Sequence, residues 1–251
     1  MAETPPELVR EIGLRLAVIQ RKVALAAEKS CRSASEVMIL AVSKRQPLEV
    51  IEAAYACGLR TFGENYAEEA AEKITQLAHL DDIRWEMVGH VQSRKSALVA
   101  QHFVRVHSLD SLKLARKLDA VRSNRAALPP LEVLLQLNVS GEASKGGFLA
   151  CESGQWEALL PVAQEVRSLG NLRLTGLMTM PPLFEDPEFS RPYFRRLREA
   201  RDYLNEEIPE LGLKELSMGT SADYSVAVEE GATIIRIGTE LLGPRNYTKE
   251  F

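Results

Sequence analysis

Apolar runs of strand length alternate with amphipathic helical segments along the chain. The first segment has one apolar stripe and a capping-box spacing, Thr4-Pro5-Pro6-Glu7, which predicts a helix from Thr4 within residues 1–30. The strand-like runs that follow are Val37 to Ser43, Arg60 to Gly63, Arg84 to Val91, Phe103 to Ser108, Leu131 to Val139, Leu174 to Met180, Glu215 to Gly219 and Thr233 to Gly238. The predicted helices between them are Pro47 to Gly58, Glu64 to Ala78, Ser93 to Gln101, Leu109 to Val121, Glu157 to Leu169, Phe189 to Glu207 and a short one around Val226 to Val228.

This alternation predicts a single closed (β/α)8 barrel, a TIM barrel, over residues 1–251. A doubly wound open sheet is the alternative, but that fold more often has a glycine-rich phosphate loop after its first strand, where this chain has Lys44. The helix within residues 1–30 precedes the first strand, so we expect it to cover the bottom of the barrel or an outer groove.

Lys44 directly follows the first predicted strand and is the most informative candidate for chemistry. Because side chains alternate along a strand, Lys44 shares a face with Leu40 and Val42, and its stem would rise from the barrel interior. Partial desolvation and a fixed orientation would make its amine a nucleophile toward an aldehyde. An ordinary lysine that leaves the strand for solvent is the alternative interpretation.

The ends of the last two predicted strands are small and polar. The seventh ends as Ser217-Met218-Gly219-Thr220-Ser221 and the eighth as Arg236-Ile237-Gly238-Thr239-Glu240. Backbone amides and hydroxyls in the loops after these two strands commonly form a phosphate site in this fold. Taken alone, each hydroxyl is better explained as an ordinary helix cap. Together with Lys44, they favour a phosphorylated aldehyde as the ligand.

Composition narrows the partners. The chain has 251 residues, 45% hydrophobic and 26% charged, with a formal net charge of -4. It therefore has no basic footprint for nucleic acid or an anionic membrane. With no signal-like start and no bilayer-length apolar run, the sequence predicts a cytoplasmic protein. Its 3 cysteines and its scattered His79, His102 and His107 lack metal-ligand spacing, so no metal is expected.

Several motifs together resemble the pyridoxal phosphate homeostasis proteins, the YggS/PROSC family. They are Val42-Ser43-Lys44, Gly63-Glu64-Asn65-Tyr66, Val88-Gly89 with Gln92-Ser93, Asn138 to Gly147, Gly176 to Pro181, Leu216 to Asp223 and Arg236 to Thr239. That family is similar to the barrel domain of alanine racemase and of eukaryotic ornithine decarboxylase. The resemblance implies a TIM barrel that binds pyridoxal 5'-phosphate (PLP) and lacks the C-terminal β domain of alanine racemase.

The resemblance also implies roles for individual residues. Lys44 would hold PLP as a Schiff base, and Asn65 would lie near the ring hydroxyl. Ser217 and Met178 are weaker candidates. The phosphate would be held by Ser221, Gly238 and Thr239.

By resemblance to the racemase barrel, Arg236 would face the pyridine nitrogen and, because a guanidinium can only donate, would keep that nitrogen unprotonated. An unprotonated ring is a poorer electron sink than a pyridinium. Pairing of Arg236 with Glu64 or Glu240 is the alternative.

The family role implies a carrier and regulator of intracellular PLP, without a dedicated turnover, that passes vitamin B6 cofactor to apo-enzymes. A monomer is expected. The first alternative is a PLP-dependent amino-acid racemase or decarboxylase, for which Tyr66 or Tyr224 would have to replace the tyrosine base that racemases carry on their second domain. The second is a cofactor-independent Schiff-base aldolase acting on a sugar phosphate.

Two segments add hypotheses. Trp85 to Gln92 departs from the family pattern, where histidine is more usual at Glu86 and proline at His90, which puts in doubt a role of this edge in binding amino acids or partners. The loop of residues 140–148 could arch over the cofactor, with Lys145 as a transient acceptor during transfer, or it could be a solvated turn.

Overall fold

The alternating segments fold into nine strands and nine helices within the part of the chain described by a computed structural model, residues 5–125 and 128–245. The strands are β1 (Met38–Val42), β2 (Thr61–Glu64), β3 (Arg84–Met87), β4 (Arg105–Leu109), β5 (Leu131–Asn138), β6 (Phe148–Leu149), β7 (Leu172–Met178), β8 (Glu215–Thr220) and β9 (Ile234–Ile237). The helices are α1 (Pro6–Lys29), α2 (Leu48–Ala56), α3 (Ala67–Gln76), α4 (Ser96–His102), α5 (Leu112–Ser123), α6 (Leu159–Ser168), α7 (Arg191–Glu207), α8 (Tyr224–Glu229) and α9 (Thr239–Leu242).

Eight of these strands form a closed parallel barrel, which confirms the predicted TIM barrel. The order around the ring is β4, β3, β2, β1, β9, β8, β7 and β5, and a further pairing of β4 with β5 closes it. The two-residue strand β6 pairs with the end of β5 and is not part of the ring. Because every strand in the ring is parallel, all the carboxyl ends lie at one mouth of the barrel, where enzymes and binding proteins of this fold place their sites.

The strand residues alternate between two hydrophobic cores. On β1, Leu40 and Val42 point into the barrel, where they form a small cluster with Val88, Leu134, Met178 and Ile234. Ala41 points outward into the large cluster between the barrel and its helices. The same alternation on β9 places Arg236, the register partner of Leu40, on the inward side. A lysine two residues after Val42 therefore leaves the barrel on its inner face, as the sequence predicted.

Helix α1 packs on the outside of the barrel against α2, α8 and α9, so it fills an outer groove. Its buried stripe includes Ile12, Ile19 and Val23, and Lys29 pairs with Glu229 of α8. The predicted capping residue Thr4 lies outside the described residues. Within the described ranges, no helix combines the length and apolar character needed to cross a bilayer.

Several boundaries differ from the prediction. Strand β3 ends at Met87 instead of Val91, because Gly89 passes so close to the backbone of Asn65 that a Cβ there would lie 2.3 Å from the Asn65 carbonyl oxygen. Leu109 belongs to β4, and the following helix begins after Ser111, whose side chain caps it by accepting from the Leu114 amide. The helices predicted from Ser93, Glu157 and Phe189 begin as 3₁₀ turns.

Candidate functional site

A cavity of about 320 Å³ opens at the carboxyl ends of the barrel strands. This volume lies within the range of about 300–1,000 Å³ found for small-molecule sites. The residues that line it come from the ends of β1, β2, β3, β7, β8 and β9 and from the segment after α9: Val42, Lys44, Asn65, Val88, Met180, Thr220, Ser221, Ala222, Arg236, Gly238, Thr239 and Arg245.

Most of the residues predicted for cofactor binding meet in this cavity. Those that line it are Lys44, Asn65, Ser221, Arg236, Gly238 and Thr239. Met178 and Ser217 do not. Met178 is buried in the apolar cluster inside the barrel, and Ser217 is fully buried with its hydroxyl on Arg236. Both lie deeper in the barrel than the residues that line the cavity.

The Lys44 amine has no hydrogen-bond or ion-pair partner among the described residues, although the side chain is half-buried. Burial lowers the pKa of its ammonium, and the nearby guanidiniums of Arg245 and Arg45 lower it further. An amine that loses its proton more readily and is not held by a carboxylate is available for nucleophilic attack on a carbonyl carbon.

A buried ionic cluster fixes the turn that carries Lys44. The Lys73 ammonium donates to the Ser43 carbonyl oxygen at 2.7 Å and pairs with Glu64 at 2.8 Å and with Glu69 at 2.5 Å. Glu69 in turn accepts a hydrogen bond of 2.5 Å from the Arg45 amide. We call Ser43, Glu64, Glu69 and Lys73 the Lys73 cluster. It holds the residues on both sides of Lys44.

That turn contains unfavourable backbone geometry and an unusual carboxyl group. Arg45 has a φ of 57°, in the left-handed region that a side chain disfavours, and the hydrogen bond that its backbone N–H donates to the Glu69 carboxylate compensates for this strain. Burial raises the pKa of the Glu64 carboxyl and outweighs the opposing effect of Lys73. One oxygen of Glu64 and one of Glu69 have no partner in the described part of the chain. Burial of the Lys73 cluster therefore lowers the stability of the fold, but the cluster holds the Lys44 turn in place.

Arg236 is buried at the floor of the cavity. It donates to the Ser217 hydroxyl at 2.6 Å and to the Thr179 carbonyl oxygen at 2.8 Å. Its alternative carboxylate partners are engaged elsewhere, since Glu64 pairs with Lys73 and Glu240 with Lys22. Burial lowers the pKa of the Arg236 guanidinium to about 10, so it keeps its charge at neutral pH.

The cavity also presents donors with free hydrogen-bonding capacity. Within the described ranges, the hydroxyls of Ser221 and Thr239 and the guanidinium of Arg245 have no hydrogen-bond partner. Gly219, with a φ of 89°, makes the turn that brings Ser221 to the rim, and a Cβ on it would lie 2.6 Å from Ala227. Hydroxyls and a guanidinium that share one cavity with a lysine form a site for an anion.

Arg245 was not predicted from the sequence. It follows α9 and carries no motif, and only the closure of the barrel brings it beside Lys44. The apolar lining residues Val42, Val88 and Met180 were also missed, because each is indistinguishable from a core residue in the sequence. His107, which the sequence analysis treated only as an unlikely metal ligand, proves to be buried and hydrogen-bonded to Ser217 and Glu86.

The residues considered for other chemistry lie away from the cavity. Tyr224 is buried and its hydroxyl lies 3.3 Å from Glu240, while the Tyr66 ring lies 5.6 Å from the Arg45 guanidinium carbon. Neither is part of the cavity lining, and neither is Lys145. The loop of residues 140–148 is held at its base by Asn138, whose amide donates to the carbonyl oxygens of Glu142 and Lys145. The transfer role of Lys145 stays a prediction.

Comparisons with known proteins identify the family of this chain. Residues 14–246 match the family model described as the N-terminal domain of alanine racemase. A pyridoxal phosphate homeostasis protein of Pseudomonas aeruginosa is 44% identical over 236 residues, which are 94% of this chain and 96% of that protein. The Escherichia coli protein of the same description is 37% identical over 246 residues, or 96% of this chain and 100% of the relative.

Solved structures show the same fold. PipY of Synechococcus elongatus, determined without and with PLP, is 34% identical and superimposes with TM-scores of 0.80 and 0.78, over 92% of this chain and 100% of PipY. Alanine racemase of Streptomyces coelicolor is 21% identical, with a TM-score of 0.63 over 90% of this chain and 58% of the racemase, and it shares the barrel fold.

Proposed function

This chain belongs to the family of pyridoxal phosphate homeostasis proteins, and from that premise we propose that it binds PLP through a Schiff base to Lys44 and serves as a carrier of the cofactor. The observation that carries the proposal is the Lys44 amine. It is unpaired within the described ranges, has a lowered pKa and shares one cavity with unpartnered anion donors.

The donor set fits the chemistry of PLP group by group. Bound PLP supplies an aldehyde that condenses with a primary amine. Lys44 would provide that amine, and Ser221, Thr239 and Arg245 would hold the phosphate. Gly238 lines the same cavity and would let its backbone approach the phosphate. Asn65 would lie at the ring hydroxyl, and Arg236 would donate to the ring nitrogen.

Two features favour a carrier over an amino-acid racemase or decarboxylase. First, racemisation needs an acid or base on each face of the α-carbon, and in the described lining the titratable groups are Lys44, Arg236 and Arg245. The two arginines stay protonated and cannot act as a base. Second, a guanidinium at the ring nitrogen would keep the ring unprotonated and weaken it as an electron sink, which disfavours decarboxylation. We therefore propose that holding and releasing PLP in the cytoplasm, for apo-enzymes, is the main activity.

The proposal is tested by PLP uptake and transfer. The purified protein, stripped of PLP and then incubated with it, should take up one equivalent with visible absorption and pass it to an apo form of a PLP-dependent enzyme. A protein that takes up no PLP contradicts the proposal and favours an aldolase. Stereospecific exchange of the α-proton of an amino acid at turnover rates would instead favour a racemase.

Arg245→Ala should weaken PLP binding by about tenfold, because a charged hydrogen bond to a phosphate contributes on the order of 1.5–3 kcal/mol. It should also raise the pKa of Lys44, since Arg245 is one of the charges that lower it. The first effect is measured by equilibrium dialysis. The second is measured in the PLP-free protein as the pH dependence of Lys44 labelling by an amine-reactive reagent. Arg94→Ala, at the neighbouring rim, is the control and should change neither quantity.

A further inference from the structure

A continuous line of buried polar groups crosses the barrel interior beneath the cavity. Arg236 donates to the Ser217 hydroxyl at 2.6 Å, and the Ser217 oxygen lies 2.8 Å from His107 Nδ1. The other ring nitrogen, Nε2, lies 2.7 Å from Glu86. Arg105 then donates to Glu86 at 3.1 Å. We call Glu86, His107 and Ser217 the interior relay. Their side chains are fully buried, and the other end of the line at Arg105 reaches a separate pocket that includes Glu132.

The chemistry of the groups gives this line a single direction. A guanidinium can only donate, so Ser217 must accept from Arg236 and its own proton is free for His107 Nδ1. His107 Nδ1 is then an acceptor, and its proton lies on Nε2, from which it donates to the Glu86 carboxylate. Every donor in the interior relay thus has an acceptor. Reversal of any one bond would leave a buried group unpaired.

The charges agree with that direction. Burial lowers the pKa of His107 and, together with the guanidiniums of Arg236 and Arg105, outweighs the opposing effect of Glu86, so the imidazole is neutral at physiological pH. Burial alone would raise the pKa of the Glu86 carboxyl, but its bond from His107 and the charge of Arg105 outweigh burial and hold that pKa below its usual range. The negative Glu86, beyond the neutral His107 and Ser217, attracts the protons of the line away from the cavity.

We propose that Glu86, His107 and Ser217 are positioning residues that fix the donor geometry of Arg236 at the cofactor's ring nitrogen, an inference that rests on the proposed function. Ser217 and the Thr179 carbonyl each take one N–H of the guanidinium, on two different nitrogens. The plane of Arg236 is therefore locked, and its remaining N–H groups have a fixed orientation at the cavity floor. Glu86 and His107 act by keeping the Ser217 hydroxyl oriented as an acceptor.

Glu86 is the most informative residue to substitute, because its carboxylate accepts hydrogen bonds from two neighbours. One oxygen receives Arg105 and the other receives His107. In Glu86→Gln only one of these positions remains an acceptor. If the amide nitrogen faces His107, the imidazole must shift its proton to Nδ1 and point it at Ser217. If the nitrogen faces Arg105, two donors collide.

The experiment compares Ser217→Ala and Glu86→Gln with Ser108→Ala, which removes an equally buried hydroxyl that donates to the Gly89 carbonyl outside the relay. PLP affinity and the ratio of the near-ultraviolet to visible absorption bands of bound PLP are measured for each variant, alone and combined with Arg236→Gln. Both relay variants should weaken PLP binding by about tenfold, the size expected for loss of one hydrogen bond to a charged group. Both should also change the ratio of the two absorption bands. Ser108→Ala should do neither.

The double variants separate positioning from general damage to the fold. If the relay acts through Arg236, its variants should cause no further change once Arg236 is Gln. Relay variants that match Ser108→Ala, or that keep their full effect in the Arg236→Gln background, would overturn the proposal. Imidazole ¹⁵N shifts of PLP-free wild-type protein provide an independent test, since they must show His107 neutral with its proton on Nε2. A wild-type protein that binds no PLP overturns the proposed function, whereas normal uptake with an unresponsive relay overturns only this inference.

Discussion

Lys44→Ala is expected to abolish covalent capture of PLP. After incubation with PLP and reduction with borohydride, the wild-type chain should carry one pyridoxyl group on Lys44, and the variant should carry none. The reason is geometric: Lys44 is the only lysine of the described cavity lining, and its lowered pKa makes it the reactive amine. The measurement is peptide mapping of the reduced protein by mass spectrometry, together with the visible absorption before reduction.

Two further variants give this result its controls. Lys44→Arg keeps a positive charge without an amine that can condense, so it should lose the adduct while retaining non-covalent PLP through the phosphate donors. Lys145→Ala removes a lysine outside the cavity and should keep the full adduct on Lys44. An adduct that moves to another lysine in Lys44→Ala, or that is absent from the wild type, would contradict the assignment of Lys44.

The sequence predicted the barrel because parallel strands that are buried on both faces leave long apolar runs, and eight of them alternate with helices. Strand ends were less predictable. Leu109 has the same apolar character whether it ends a strand or begins a helix, and the Ser111 cap decides between the two. Strand β6 was missed, since its two residues pair only with the end of β5 and form no periodic pattern.

The site was predicted where a residue's type and its strand position both point to chemistry. Lys44 and Arg236 combine a charge with an inward position at a strand end, and both line the cavity. Met178 and Ser217 lie near the carboxyl ends of their strands, but both side chains lie one layer below the cavity lining. Arg245 is the opposite case, since its place in the cavity depends on how the chain returns after α9 and no local pattern encodes it.

Buried charge supports the site at two levels, and each level restrains one reactive group. The interior relay holds Arg236 from below, and the Lys73 cluster holds the turn of Lys44 from the side. In both cases, carboxylates whose burial costs free energy lie close to residues that line the cavity. This arrangement separates binding from support: the cavity wall can exchange its ligand while the groups beneath it keep their partners.

Lys73→Met is accordingly expected to lower the free energy of unfolding by about 3–5 kcal/mol, because it leaves Glu64 and Glu69 buried without their counterion. Methionine keeps the length of the side chain and removes only the charge and its hydrogen bonds. Urea unfolding followed by circular dichroism measures the change. Lys95→Met is the matched control: its partner Glu68 is exposed, so the loss should stay below about 1 kcal/mol.

The pH dependence identifies the cause of that loss. Burial raises the pKa of Glu64, so the folded chain binds the proton of this carboxyl more tightly than the unfolded chain does. The resulting stabilisation is fully present at pH values below the pKa of Glu64 in the unfolded chain. It is lost as the pH rises through the pKa of Glu64 in the folded chain. Without Lys73 the preference for the protonated carboxyl grows. The difference in unfolding free energy between the wild type and Lys73→Met should therefore become smaller as the pH falls from neutral toward acid. Adding Glu64→Gln to Lys73→Met should restore part of the lost stability. A deficit that is unchanged or larger in acid would show that the lost energy is packing around Lys73, and not the burial of unpaired carboxylates.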